Sequence, residues 1–230
     1  MKRLTVVQHD SAEYLGLIED HFEGRRVRFN YVRPFTGAVP IPALDAIGDG
    51  LILLGGGPWG SAGERDLPTL AAEQQLVRTC LLANKLVIGF GLGAQLLARA
   101  ADGDSRPAPL ECRIGQGSRS DDDALGGYLP QHFPYCRYGR DRAVPPGYAR
   151  ILARDEEGEP LAFQMGETAF GFEYHPGIKV AMVEDLVMEF EESPGTTAAS
   201  LGQLRALQRE IEDALVPFMT GLVAATRLMR

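Results

Sequence analysis

Apolar positions in the first hundred residues follow two alternating patterns, short compact runs and longer stripes spaced three or four residues apart. Leu4 to Gln8, Val27 to Val32, Leu51 to Leu54 and Leu86 to Phe90 read as strands, and the last two are unbroken apolar runs of the kind buried on both faces. Between them Tyr14, Ile18 and Phe22 mark a helical stripe over residues 13–22, and Leu67 to Ala83 predicts a second helix. Three prolines make residues 34–42 a loop, whereas Gly91 to Gly93 turns straight into a helical run from Gln95 to Ala101. Strands alternating with helices in this way predict βαβ units and a parallel sheet.

The pattern then changes. Between Asp102 and Gly127 only Leu110 to Ile114 reads as a strand, and the acidic run Asp121 to Asp123 reads as a solvated loop ahead of a metal site. From Arg150 to Tyr174 three short strand patterns separated by turns predict an antiparallel portion added to the sheet. A helix is expected over residues 179–192, stopped by Ser193, Pro194 and Gly195, with Ser200 as the cap of another. Leu201, Leu204, Ile211, Leu215, Phe218 and Leu222 continue that last stripe, and Pro217 either kinks one long helix or starts a second. The stripe packs on its own domain or serves as a docking or dimerisation helix. The expected division is a domain over residues 1–192 and a helical extension over 193–230.

Composition narrows the function classes. The 230 residues are 45% hydrophobic and 23% charged, as in an ordinary globular chain, and the longest apolar stretch falls short of the ~20 residues that span a bilayer. No membrane association and a cytoplasmic location are therefore expected. The net charge of −8 argues against nucleic acid, which needs a cationic face. Cys80, Cys112 and Cys136 form no CxxC pair, so neither a disulfide framework nor a cysteine-built metal site is expected, and no cofactor is indicated.

The candidate chemistry lies on glycine-rich turns. GFGLGAQLLA, Gly89 to Ala98, joins a strand to a helix, the geometry that raises a nucleophile above a sheet with the next backbone N–H aimed at a developing oxyanion. Together with LILLGGGPWG (Leu51 to Gly60), YGRDRAVPPGYARILA (Tyr138 to Ala153) and GFEYHPG (Gly171 to Gly177), in that order, it resembles the class I glutamine amidotransferases over roughly residues 4–178. The resemblance implies a flavodoxin-like α/β fold, a three-layer sandwich whose mainly parallel sheet carries an antiparallel portion, here with a C-terminal helical extension. It also implies a Cys-His-Glu triad that hydrolyses glutamine and passes ammonia to a synthase partner.

The residues depart from that triad. The nucleophile position is Gly91, and the position of the glutamate that orients the imidazole is Gly177; only His175 of the triad is kept. Tyr138 and Ala94 stand where histidines are frequent in the family. Glycine adopts an elbow's strained dihedrals without a Cβ penalty, so the turn is expected to survive without its reaction. The backbone N–H groups of Gly57 and Leu92, at the family's oxyanion positions, are expected to survive too, with Gln95 either contacting a ligand or capping the elbow helix. Glu173 is two residues before His175, a spacing that puts both on one face of a strand and admits an acid/base pair or half of a metal site; the other reading leaves His175 as a hydrogen-bonded relic. Arg137, Arg140 and Arg142 read as a solvated basic face or an anion contact. The leading expectation is a glutamine amidotransferase-like protein without glutaminase activity, a binding or regulatory subunit. Its partner would be a second copy or a synthase-like protein engaged through the C-terminal helices, with a small anionic or amide ligand in the pocket. The alternative is an enzyme of altered chemistry built on His175 and Glu173.

Overall fold

The computed structural model describes residues 1–37 and 40–229. In chain order its elements are β1 (Arg3–Val7), α1 (Ile18–Gly24), β2 (Arg28–Val32), β3 (Gly50–Leu53), α2 (Leu70–Leu82), β4 (Leu86–Phe90) and α3 (Leu92–Ala100). There follow β5 (Asp104–Arg106), β6 (Glu111–Arg119), β7 (His132–Gly139), β8 (Arg142–Val144), β9 (Arg150–Arg154), β10 (Pro160–Met165), β11 (Ala169–Phe172), α4 (Val180–Glu189) and α5 (Thr197–Ala225). Nine strands form one sheet in the order β2-β1-β3-β4-β11-β10-β9-β6-β7, and β5 pairs with β8 in a separate ribbon. From β2 to β11 every neighbouring pair is parallel; from β11 to β7 every pair is antiparallel. This is a flavodoxin-like α/β fold with an antiparallel portion and a C-terminal helix.

Side-chain alternation builds the layers. On β3 and β4, Ile52, Leu86, Ile88 and Phe90 face a core completed by Ile18 and Phe22 of α1 and by Leu215, Phe218 and Leu222 of α5. Leu51, Leu53 and Val87 point the other way, onto Leu76, Val77 and Cys80 of α2 and Ala94 and Leu97 of α3. Both sheet faces are thus covered, which is why these strands read as unbroken apolar runs. A third cluster seats Met182, Val183 and Leu186 of α4 and Leu204 and Ile211 of α5 near Cys112, Cys136 and Tyr138 of the antiparallel strands.

Several expectations change. The helix expected over 13–22 begins only at Ile18, because Asp10 Oδ1 accepts the N–H groups of Ala12 (2.9 Å) and Glu13 (2.7 Å) and holds the preceding segment in a turn. The strand expected over 110–114 runs to Arg119, and β7, unforeseen, pairs with it. The loop expected over 34–42 is present at 34–37 and 40–42; residues 38 and 39 lie outside the described residues, as does Arg230. Ser200 is no cap: it lies inside α5 and donates through Oγ to the Cys112 carbonyl at 2.5 Å.

Helix α5 runs through Pro217 as one element of 29 residues. Burial of Leu215, Phe218, Met219 and Leu222 offsets the hydrogen bond that proline removes, and Phe218 meets Phe172 edge-on at 5.0 Å. The apolar stripe therefore faces its own sheet, the first of the two readings above. Phe218→Leu is expected to cost about 1–2 kcal/mol of unfolding free energy, measured by urea denaturation.

Candidate functional site

In an open α/β sheet the functional crevice lies beyond the carboxyl ends of the parallel strands, where strand order reverses. Here β2 and β3 flank β1, so that crevice gathers the segments leaving β1, β3 and β4.

The segment leaving β4 keeps its elbow. Gly91 has φ +54° and ψ −117°, a conformation that side chains rarely adopt, and α3 starts at the next residue. The position is roomy as well as strained: a Cβ built there would meet only Gly55 Cα, at 3.4 Å. The position that the resemblance assigns to a nucleophile is thus a glycine with room for a side chain.

The segment leaving β3 keeps the backbone donor but not a free one. The Gly57 N–H donates to Glu13 Oε2 at 2.6 Å, and the rings and methyls of Phe190 and Leu186 lie over the Gly57 Cα. None of the five main cavities among the described residues is lined by Glu13, Gly57, Gly91, Leu92 or Gln95. The hole expected to admit a ligand is occupied by the chain's own carboxyl.

His175 is present and buried, with its Nε2 donating to the Tyr14 carbonyl at 2.7 Å and its Nδ1 unpartnered among the described residues. Burial pulls the imidazole down to about 4, so it is uncharged at neutral pH, and its ring lies 5.7 Å from that of Phe90. Gly177, which the resemblance assigns to the triad's glutamate, has no room for a side chain. A Cβ on Gly177 would lie 2.7 Å from Ile18 Cγ1 and 2.9 Å from both the Ile18 nitrogen and the Leu15 oxygen.

The pairing of His175 with Glu173 that the spacing admits is not formed. Strand β11 ends at Phe172, so strand alternation no longer governs residues 173–175. Glu173 instead accepts the Ala143 N–H at 2.9 Å and pairs with Arg137 (3.4 Å) and Arg142 (3.8 Å). Burial pushes the Glu173 carboxyl up and the Arg137 guanidinium down, while their ion pair opposes both shifts. The basic cluster is accordingly not a solvated face: Arg137, Arg140 and Arg142 are all buried, and Arg142 also binds Asp155 at 2.9 Å. Gln95 accepts the Ser61 hydroxyl at 2.6 Å and donates to the Arg140 carbonyl at 2.9 Å, so its side chain braces the loops rather than a ligand. Arg140 reaches Glu192, which Arg65 also binds, tying the segment after α4 to the site.

The segment leaving β1 supplies what sequence reasoning missed. His9 Nε2 lies 2.7 Å from Glu73 Oε2 and Nδ1 lies 2.8 Å from the Gly55 carbonyl, with Thr69 donating to the second Glu73 oxygen at 2.6 Å. Burial alone would discharge His9, but the Glu73 carboxylate and the Gly55 carbonyl outweigh it and lift the imidazole to about 9. Burial raises Asp10 to about 6, and burial with the Asp10 charge raises Glu13 to about 8. A helix assigned over 13–22 hid Glu13; the available signal was the polar run QHDSAE directly after a buried strand in the first βα unit. Among the described residues no group of three His, Cys, Asp or Glu could hold a metal ion, and no helix is long and apolar enough to cross a membrane.

No family model matches the chain. It is 29% identical over 223 residues to a glutamine-hydrolysing GMP synthase of Aeropyrum pernix, covering 90% of this chain and 41% of that protein. The chain thus spans less than half the length of that relative. It is 27% identical over 236 residues to the glutamine amidotransferase-like protein YfeJ of Salmonella typhimurium, covering 97% of this chain and 98% of that one. In fold it matches the crystal structure of a glutamine amidotransferase from Thermotoga maritima with a TM-score of 0.80 and 21% identity over 98% of both chains. The chain is thus similar in sequence to a GMP synthase and to a glutamine amidotransferase-like protein, and it shares the fold of solved glutamine amidotransferases.

Proposed function

We propose that this chain is a glutamine amidotransferase-like protein without glutaminase activity that acts as a binding or regulatory subunit. The observation that carries this reading is Gly91: an elbow with its backbone geometry intact and no side chain to attack an amide. Loss of such a nucleophile costs on the order of 10⁶ in kcat in triad hydrolases. The closed place beside His175 and the occupied Gly57 donor point the same way. The region that matches in the A. pernix relative is one part of a longer GMP synthase, which supports a separate synthase-like chain as the partner here. With the apolar stripe of α5 packed on its own sheet, such a partner would meet other surfaces of the C-terminal helices.

Ammonia release from glutamine tests the reading. The unmodified chain is expected to show no turnover above background, and Gly91→Cys to remain folded with weak activity at most. Robust turnover by the unmodified chain would sink the proposal. Co-purification from the native source, with measurement of the assembly's mass, then tests the subunit role; an unaccompanied monomer would count against it.

A further inference from the structure

We propose that Glu13 is an internal ligand of the retained oxyanion hole, a displaceable carboxyl that keeps the site shut against small uncharged acyl ligands, carboxylic acids or carboxamides. Its Oε2 takes the Gly57 N–H at 2.6 Å, the bond a substrate carbonyl would take there. Its Oε1 lies 2.1 Å from where a Cβ on Gly55 would stand, and Gly55 Cα is itself the nearest neighbour of the empty Cβ place on Gly91. The carboxyl, Gly55 and the vacant nucleophile position are therefore successive neighbours. Phe190 closes the other side of Gly57.

Chemistry of the surroundings selects the uncharged form. Glu13 is faced by Asp10 in its own loop, His9 at the end of β1, Glu189 at the end of α4, and Cys136 and Tyr138 on β7. Asp10 Oδ2 is buried without a partner among the described residues, so a second full charge beside it is poorly compensated. Between pH 4.5 and about 8 the folded chain holds a proton on Glu13 that the unfolded chain has released. Stability therefore falls as pH rises through that window and levels off above it. His9, raised from 6.5 to about 9, contributes stability that is full below pH 6.5 and is lost by about pH 9. The two losses overlap between pH 6.5 and 8.

Melting temperatures of the full chain test the proposal. Glu13→Gln keeps the carbonyl and removes the titration, so the fall in Tm between pH 6.5 and 8 should shrink to about half that of the unmodified chain, leaving the share of His9. Glu13→Ala vacates the hole. Its Tm should rise by roughly 3–6 °C when acetamide reaches ten times its Kd, less in sodium acetate and not in sodium chloride, whereas the unmodified chain responds to none of them. A Gln variant as pH-sensitive as the parent overturns the proposal, as does an Ala variant indifferent to both acyl probes; should the Ala variant not fold, the Gln comparison decides. The inference rests on reading Gly57 as the oxyanion donor, yet its readout is separate from the glutaminase assay. An inactive chain without acyl rescue defeats this inference alone, and a glutamine-hydrolysing chain whose Glu13 variants still show the expected pH response and acyl rescue defeats the functional reading alone.

Discussion

Gly177→Ala is expected to destabilise the chain by about 3 kcal/mol, lowering Tm by roughly 6–12 °C, although it adds one methyl group. The added carbon would stand 2.9 Å from two backbone atoms, the Ile18 nitrogen and the Leu15 oxygen. Neither can swing aside as a side-chain end could, because Leu17 N–H donates to the Gly177 carbonyl at 2.9 Å and Ile18 N–H to the Leu15 carbonyl at 3.1 Å. Relief requires the whole turn before α1 to shift. Gly91→Ala provides the contrast: its methyl has room, and the cost is the positive φ, about 1–2 kcal/mol. Urea denaturation of the two variants side by side checks the ranking, and equal losses would mean that the turn packed against Gly177 shifts aside at little cost. The same ranking predicts that Gly91→Cys with Gly177→Glu gains little activity over Gly91→Cys alone, since the second change disrupts the site it is meant to complete.

Arg137→Met should cost about 3–5 kcal/mol. The guanidinium is 2% exposed, 2.5 Å from Glu111 and 3.4 Å from Glu173, and it also donates to the Asp141 carbonyl. Its loss leaves Glu173, 1% exposed, with Arg142 at 3.8 Å as its remaining cation among the described residues. The cost comes from that stranded carboxylate more than from the bond itself, so adding Glu173→Gln should recover part of the loss. A double variant no more stable than Arg137→Met would show that packing of the arginine stem carries the effect.

The parallel half of the fold was legible because β3 and β4 announce themselves by unbroken apolar runs and the turns that follow them by glycine or proline. Strand β7 was not, since HFPYCRYG mixes a proline and an arginine into a strand whose arginine is buried in ion pairs, and pairing of that kind has no local signature. Gly91 at the end of β4, the turn at Gly57 after β3 and His175 after β11 lie on the segments that leave neighbouring parallel strands. The side-chain partnerships were a different matter: a period-two rule placed Glu173 beside His175, but the strand had already ended, and arginines from the preceding segment hold the carboxyl. Glu13 escaped notice for a similar reason. Tyr14, Ile18 and Phe22 match a helical spacing, yet Asp10 captures the backbone N–H groups of Ala12 and Glu13, and that competition decides where α1 starts.

One segment touches three of the positions that the sequence motifs single out. Residues 13–18 place the Glu13 carboxyl on the Gly57 N–H, the Tyr14 carbonyl on His175, and the Leu15 and Ile18 backbone against Gly177. If the chain lacks glutaminase activity as proposed, installing hydrolysis would therefore meet a ratchet. A thiol at residue 91 alone leaves the Gly57 N–H taken and the imidazole bound elsewhere, and a glutamate at residue 177 alone forces the turn apart, so no single substitution is rewarded. Revival is a loop-transplant problem, in which the segment between β1 and α1 must be exchanged before point changes at 91 and 177 can have value.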